Sequence, residues 1–117
     1  SIEKEGLNSS GLITLSWINS ELDLNDWINI HKDEMKNNIV YENANLIFGE
    51  ESKNKFNDLN TTSIKFTVSL LGLKHEGIIH FFHEKEKTFS IFMQEAIEDK
   101  VKNKDGFEFI EKSFKVE

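Results

Sequence analysis

SIKFTVSLLGLKHEGIIHFFHEKEKTFSIFMQEA, residues 63–96, decides the fold. Over residues 63–71, Ile64, Phe66, Val68 and Leu70 alternate with Lys65, Thr67 and Ser69. That period of two marks a strand with one buried face, because successive side chains of a strand point to opposite sides. Gly72 offers a turn, and residues 74–83 read as a second strand. The charged turn 84–87 leads into a third, 88–95, where Phe89, Ile91 and Met93 oppose Ser90, Phe92 and Gln94. Three strands joined by short turns read as an antiparallel meander. The middle one is apolar on both sides, with Ile78 and Phe82 on one and Ile79 and Phe81 on the other, so both faces of the sheet call for cover.

Upstream, residues 12–18 alternate again, Ile13, Leu15 and Trp17 against Thr14 and Ser16, as another half-buried strand. From Leu24 the period lengthens. Leu24, Trp27, Ile28, His31 and Met35 recur every three or four residues, the stripe of an amphipathic helix, with Ser20 or Asp23 available as its cap and Asn37-Asn38 at its end. Residues 40–48 read as a further strand weakened by Asn43 and Asn45, and the polar stretch 49–60 as a loop or frayed hairpin. At the end of the chain Phe107, Ile110 and Phe114 form a second helical stripe with Asp105 as its expected cap, while Glu108, Glu111 and Lys112 fall elsewhere. Residues 1–10 read as a polar lead-in. The order strand, helix, several strands, helix predicts a single α+β domain, an antiparallel sheet covered by helices in an α/β/α sandwich.

Composition narrows the classes of function. The chain has 117 residues, 38% hydrophobic and 30% charged, enough for one core and too apolar for a disordered chain. Its formal charge is −7 and every cation is lysine, so nucleic acid is not an expected partner: phosphates are held by clustered cations. Without cysteine, disulfides, thiolate chemistry and Cys-based metal sites are excluded. No apolar stretch approaches the roughly 20 residues of a membrane helix, and the compartment is not readable.

Candidate chemistry is sparse. His80, His83 and Glu84 make the densest ligand-like group, but on a strand residues three apart point to opposite faces, so the two histidines are not expected to hold one ion. His31 lies on the apolar stripe of the first helix, where a hydrogen-bonded role at the core edge is expected. The pairs Asp33-Glu34, Glu50-Glu51 and Glu98-Asp99 read as solvated surface. No nucleophile elbow, zinc-protease helix motif, phosphate loop or dinucleotide fingerprint occurs. Hence no catalytic residue, metal or cofactor is assigned.

Ten Phe and two Trp in so short a chain admit two readings. One is ordinary core beneath two helical layers. The other is a partly covered sheet face where Thr67, Ser69, His80, Ser90 and Gln94 mingle with Phe82 and Phe92 and receive a partner.

The segments ITLSWI, DLNDWINIHKDEM, SIKFTVSLLG, KHEGIIHFF, KTFSIFMQEA and GFEFIEKSFKVE, in that order and spacing and with the Ser113-Phe114 pair at the close, resemble the PsbP-like superfamily, which includes DcrB-type proteins and the Eag chaperones of type VI secretion. The resemblance runs from Leu12 to the end and rests on pattern. It implies an α/β/α sandwich, no shared catalytic set, and a bacterial binding, assembly or chaperone module of cytoplasm or envelope. It also implies an additional N-terminal hairpin that residues 1–10 are too short and polar to supply. Two kinds of partner follow: the apolar helix of a secretion effector held on the sheet face, or a basic toxin neutralised by an acidic patch, such as Glu50 with Glu51 or Glu84 with Glu86. A homodimer is a further expectation.

Overall fold

The structure, a computed structural model, describes residues 11–115, so the lead-in lies outside the described residues. Five strands, β1 (Leu12–Ile18), β2 (Ile47–Phe56), β3 (Leu59–Leu70), β4 (Leu73–Glu84) and β5 (Lys87–Ala96), form one antiparallel sheet in the order β1-β5-β4-β3-β2. Helix α1 (Leu24–Asn37) packs on one face and helix α2 (Lys100–Ser113) on the other, the α+β sandwich anticipated from the alternation of periods.

The meander is closed by tight turns. Leu71 (φ +50°) with Gly72 (φ +79°) and Lys85 (φ +50°) with Glu86 (φ +63°) are both two-residue connections with left-handed backbone. This geometry matches the twist of the strands they join. Leu71 takes it with a fully exposed apolar side chain, so Leu71→Asn is expected to stabilise the chain by about 0.5 kcal/mol in urea titrations.

The segment between α1 and β3 differs from its sequence reading at its start and matches one of two readings at its end. Residues 39–41 form a single 3-10 turn, and Asn43 and Asn45 are left-handed, so the strand expected at residue 40 begins only at Ile47. Of the two readings of 49–60, loop or frayed hairpin, the structure takes the hairpin: the stretch supplies most of β2 and the start of β3, paired from Phe56↔Leu59 to Glu51↔Ile64 around the turn at Asn57. As an edge strand β2 leaves Glu51, Lys53 and Lys55 in water, so it carries no apolar alternation to read.

Asp23 caps α1: its Oδ1 accepts from the Asp26 N–H at 3.2 Å. Asp23→Ala should cost about 1 kcal/mol, measured by urea unfolding. Beneath α1 lies the larger core, where Trp27, Ile28 and Met35 meet Ile64, Phe66, Val68, Ile79 and Phe81. Buried polar groups fasten the layers. Trp27 Nε1–H donates to the Phe89 carbonyl at 3.0 Å, and Thr88 Oγ1 accepts from the Leu22 N–H while donating to the Ser20 carbonyl, both at 2.8 Å.

Helix α2 starts five residues before its expected cap, and Asp105 lies inside it. Its first half turns Asn103 inward, donating to Glu95 Oε1 at 3.2 Å, so the inward positions there show no apolar period. Glu111 does not face away: its Oε2 accepts from the Asn57 N–H at 3.0 Å. A second aromatic cluster anchors the end of the helix, with Phe114 edge-on to Phe56 and Phe82, and Phe82 stacked on Phe89 at 5.1 Å between centroids.

Candidate functional site: a groove beside the C-terminal helix

The two faces are unequally covered. On the α1 face, helix and sheet enclose the main core. On the other, α2 is tied down at its ends, by Lys100 to Glu76 and Asn103 to Glu95 at the start, and by Glu111 and Phe114 at the β2–β3 turn. Beside it a cavity of about 500 Å³ opens between α2 and strands β3, β4 and β5. Its accessible apolar lining comes from Ile78, Met93 and Phe107, all half-buried, while buried Phe66 and Gln94 border it at Gly77. Lys65, Glu76, Glu95 and Lys100 contribute charge of both signs, and Thr67 completes the β3 side.

The seven residues assigned from sequence to one sheet face do not share one. Thr67 and Glu76 are paired, His80 pairs with Ser63 and Ile91, and Phe82 with Phe89, which places Thr67, Ser69, His80 and Phe82 on the α2 face. Ser90 pairs with Phe81, Phe92 with Ile79 and Gln94 with Gly77, which places these three on the α1 face. The physical reason is register: alternation gives the two sides of each strand but not which side of one strand continues which side of the next. Only Thr67 of the α2-face four lines the groove directly; His80 and Phe82 are buried, and Ser69 is exposed nearer the Leu71–Gly72 turn. Sequence reasoning missed Ile78, Met93 and Phe107 as lining residues, because each sits on an ordinary apolar stripe.

The α1-face residues are held in the core. Tyr41 O–H donates to Gln94 Oε1 at 2.7 Å, and burial pushes the Tyr41 phenol above its usual pKa. His31 lies between Ser90 and Trp27. Its Nδ1 is 2.9 Å from the Trp27 carbonyl, which can only accept, so Nδ1 carries the proton and Nε2 accepts from Ser90 Oγ at 2.7 Å. The serine is 1% exposed beneath α1, so this chain of hydrogen bonds latches helix to sheet and offers no hydroxyl to a substrate.

His80 and His83 point to opposite faces, as their spacing implied: His80 bonds Thr61 Oγ1 at 2.8 Å on the α2 face, and His83 Nε2–H donates to the Leu22 carbonyl at the other. Among the described residues no three His, Asp or Glu side chains converge as metal ligands, and no helix is long and apolar enough to cross a membrane.

Burial holds the His80 imidazole below its ordinary pKa, with Glu111 opposing part of that effect. The unfolded chain therefore takes up this proton first. The contribution of His80 to stability should be complete above about pH 6.5 and be lost as the pH falls below it, and His80→Gln should flatten the decline in urea midpoint on that acid side.

The two acidic pairs, Glu50 with Glu51 and Glu84 with Glu86, lie on separate parts of the sheet. Glu50 lies in the bulge of β2 between Phe48 and Glu51, whereas Glu84 and Glu86 stand at the β4–β5 turn, interleaved with Lys85 and Lys87. From the Glu51↔Ile64↔Ile79 register the two groups are about 19 Å apart along and across the sheet.

No family model and no curated protein matches the chain. Among solved structures it is similar to a Pseudomonas aeruginosa protein of unknown function described as a putative regulator, with TM-score 0.61, 6% identity, and 92% of this chain and 73% of that one covered. At that identity the likeness is one of fold.

Proposed function

We propose that this chain is a non-catalytic protein-binding module, of the kind that PsbP-like accessory proteins and type VI effector chaperones exemplify, and that it holds an apolar helical segment of another protein in the groove beside α2. The observation that carries this reading is the half-covered α2 face, where an accessible apolar lining of Ile78, Met93 and Phe107 lies in a cavity of about 500 Å³. Such a site takes a few large apolar side chains at helical spacing, one face of an amphipathic or fully apolar helix. The mixed charges of Lys65, Glu76, Glu95 and Lys100 surround it without a dominant sign, so binding should be driven by burial of apolar surface.

The test is fluorescence anisotropy with a labelled Leu/Ala-rich helical peptide. Binding should persist when NaCl is raised from about 0.05 M to about 0.5 M, because screening acts on charge pairs and not on apolar contact. Met93→Glu or Ile78→Glu should weaken it about tenfold or more, by placing an unpaired carboxylate against apolar surface. No binding, or binding indifferent to both substitutions, rejects the groove. Capture of a cationic protein that salt releases would instead favour the toxin-neutralising reading.

A further inference from the structure

The two edges of the sheet are built differently. At the β2 edge, Lys53, Lys55, Glu51 and a bulge after Phe48 obstruct pairing with another strand, the usual protection of an exposed edge. At the other edge, β1 has none of these devices. Its sequence LITLSWI is uncharged, regular in pairing with β5 from Leu12↔Gln94 to Ile18↔Thr88, and free of proline. Leu12, Leu15 and Trp17 are 50%, 40% and 52% exposed, and no other described strand pairs with β1. Residues 11–20 contain no charged side chain in a chain that is 30% charged.

We infer that β1 is a self-pairing edge and that its partner is a second copy of this chain, joined antiparallel through β1 into a continuous ten-stranded sheet. Three features favour a copy over another strand. A two-fold axis between antiparallel strands is perpendicular to the sheet, so paired residues must have numbers of equal parity, and a register centred on Leu15 meets that condition. It pairs Leu15 with itself and Ile13 with Trp17 on the α2 face, and Leu12 with Ile18 and Thr14 with Ser16 on the α1 face. Apolar residues then meet apolar ones and hydroxyls meet hydroxyls, the cross-strand matches that stabilise a sheet. Finally, the net charge of −7 makes most approaches of two copies repulsive, while this edge brings no charge of its own to the contact. The inference stands apart from the groove, which is bounded by β3, β4, β5 and α2.

Because the chain has no cysteine, one introduced thiol can form a disulfide only with another copy. Leu15→Cys would place two sulfurs on the two-fold axis, where directly opposed Cβ atoms lie about 5 Å apart. Sedimentation across a concentration series should give a dimer of the full chain. Under mild oxidation at micromolar protein, Leu15→Cys should cross-link about a hundredfold faster than Lys53→Cys at the other edge, because pairing raises the local thiol concentration. Leu15→Lys, which sets two ammonium groups side by side at an exposed position, should return the protein to a monomer with its circular dichroism unchanged. A monomer at every concentration overturns the inference. So does a dimer in which Leu15→Cys cross-links no faster than Lys53→Cys, or one that survives Leu15→Lys.

Discussion

Gly77→Ala is expected to destabilise the chain by about 3 kcal/mol, an unusually large effect for the addition of one methyl group. Gly77 stands between Phe66 of β3 and Gln94 of β5 in the centre of the sheet. A Cβ at this position would lie 2.3 Å from Phe66 Cζ and 2.4 Å from the Met93 carbonyl oxygen. The first contact is with a ring that is itself stacked on Phe92 at 5.4 Å and wholly buried, and the second is with sheet backbone, so neither neighbour can yield cheaply. Glycine in a strand usually weakens it; here it makes room for an aromatic ring lying across the strand. Urea unfolding gives the cost directly. The double variant Gly77→Ala with Phe66→Leu should recover part of it, since the two residues contend for one volume and their effects cannot add. A cost below about 1 kcal/mol would mean that Phe66 does not occupy that space.

Phe82→Ala should cost about 3–5 kcal/mol and loosen α2 more than α1. Phe82 is the centre of the smaller core, stacked on Phe89 and edge-on to Phe114, with Phe56 alongside. Apart from the edge-on contact of Phe114 with Phe56, the ties of α2 are polar and partly exposed, such as the Lys100–Glu76 pair and the Asn57–Glu111 bond, and contribute little once the centre of the aromatic anchor is gone. Amide exchange in residues 100–113 should then approach that of frayed segments while Trp27 and Ile28 of α1 stay protected. Since α2 forms one wall of the groove, binding of the helical peptide should be lost along with this protection. Uniform loss of protection in both helices would show that the two cores do not unfold separately.

A gain in the opposite direction is available in α2. Gly106 lies in mid-helix with nothing near the position of a Cβ, so Gly106→Ala should stabilise by about 0.5–1 kcal/mol without touching the groove lining.

Much of this architecture was already legible in the order of residues. Strand β3 and helix α1 announce themselves because each buries one side against the rest of the protein, and one-sided burial leaves a period of two or of 3.6 in the chain itself; β1 carries the same period although Leu15 and Trp17 of its apolar side stay 40% and 52% exposed. The double-faced apolar character of β4 likewise required a helix on each side. Where an element buries little, or buries polar groups, that trace fades: β2 is a charged edge, legible only as a loop or frayed hairpin, and the first half of α2 turns Asn103 inward, so the start of that helix was set at Asp105. What sequence could not decide was how the sides of neighbouring strands join. Thr67, Ser69, His80 and Phe82 were grouped with Ser90, Phe92 and Gln94 because all seven looked alike along the chain, and a single step of register sends the last three to the opposite face. The groove was equally out of reach. Ile78, Met93 and Phe107 come from three separate elements, and their shared exposure follows from where α2 crosses the sheet, a matter of the aromatic anchor at its far end and not of any local pattern.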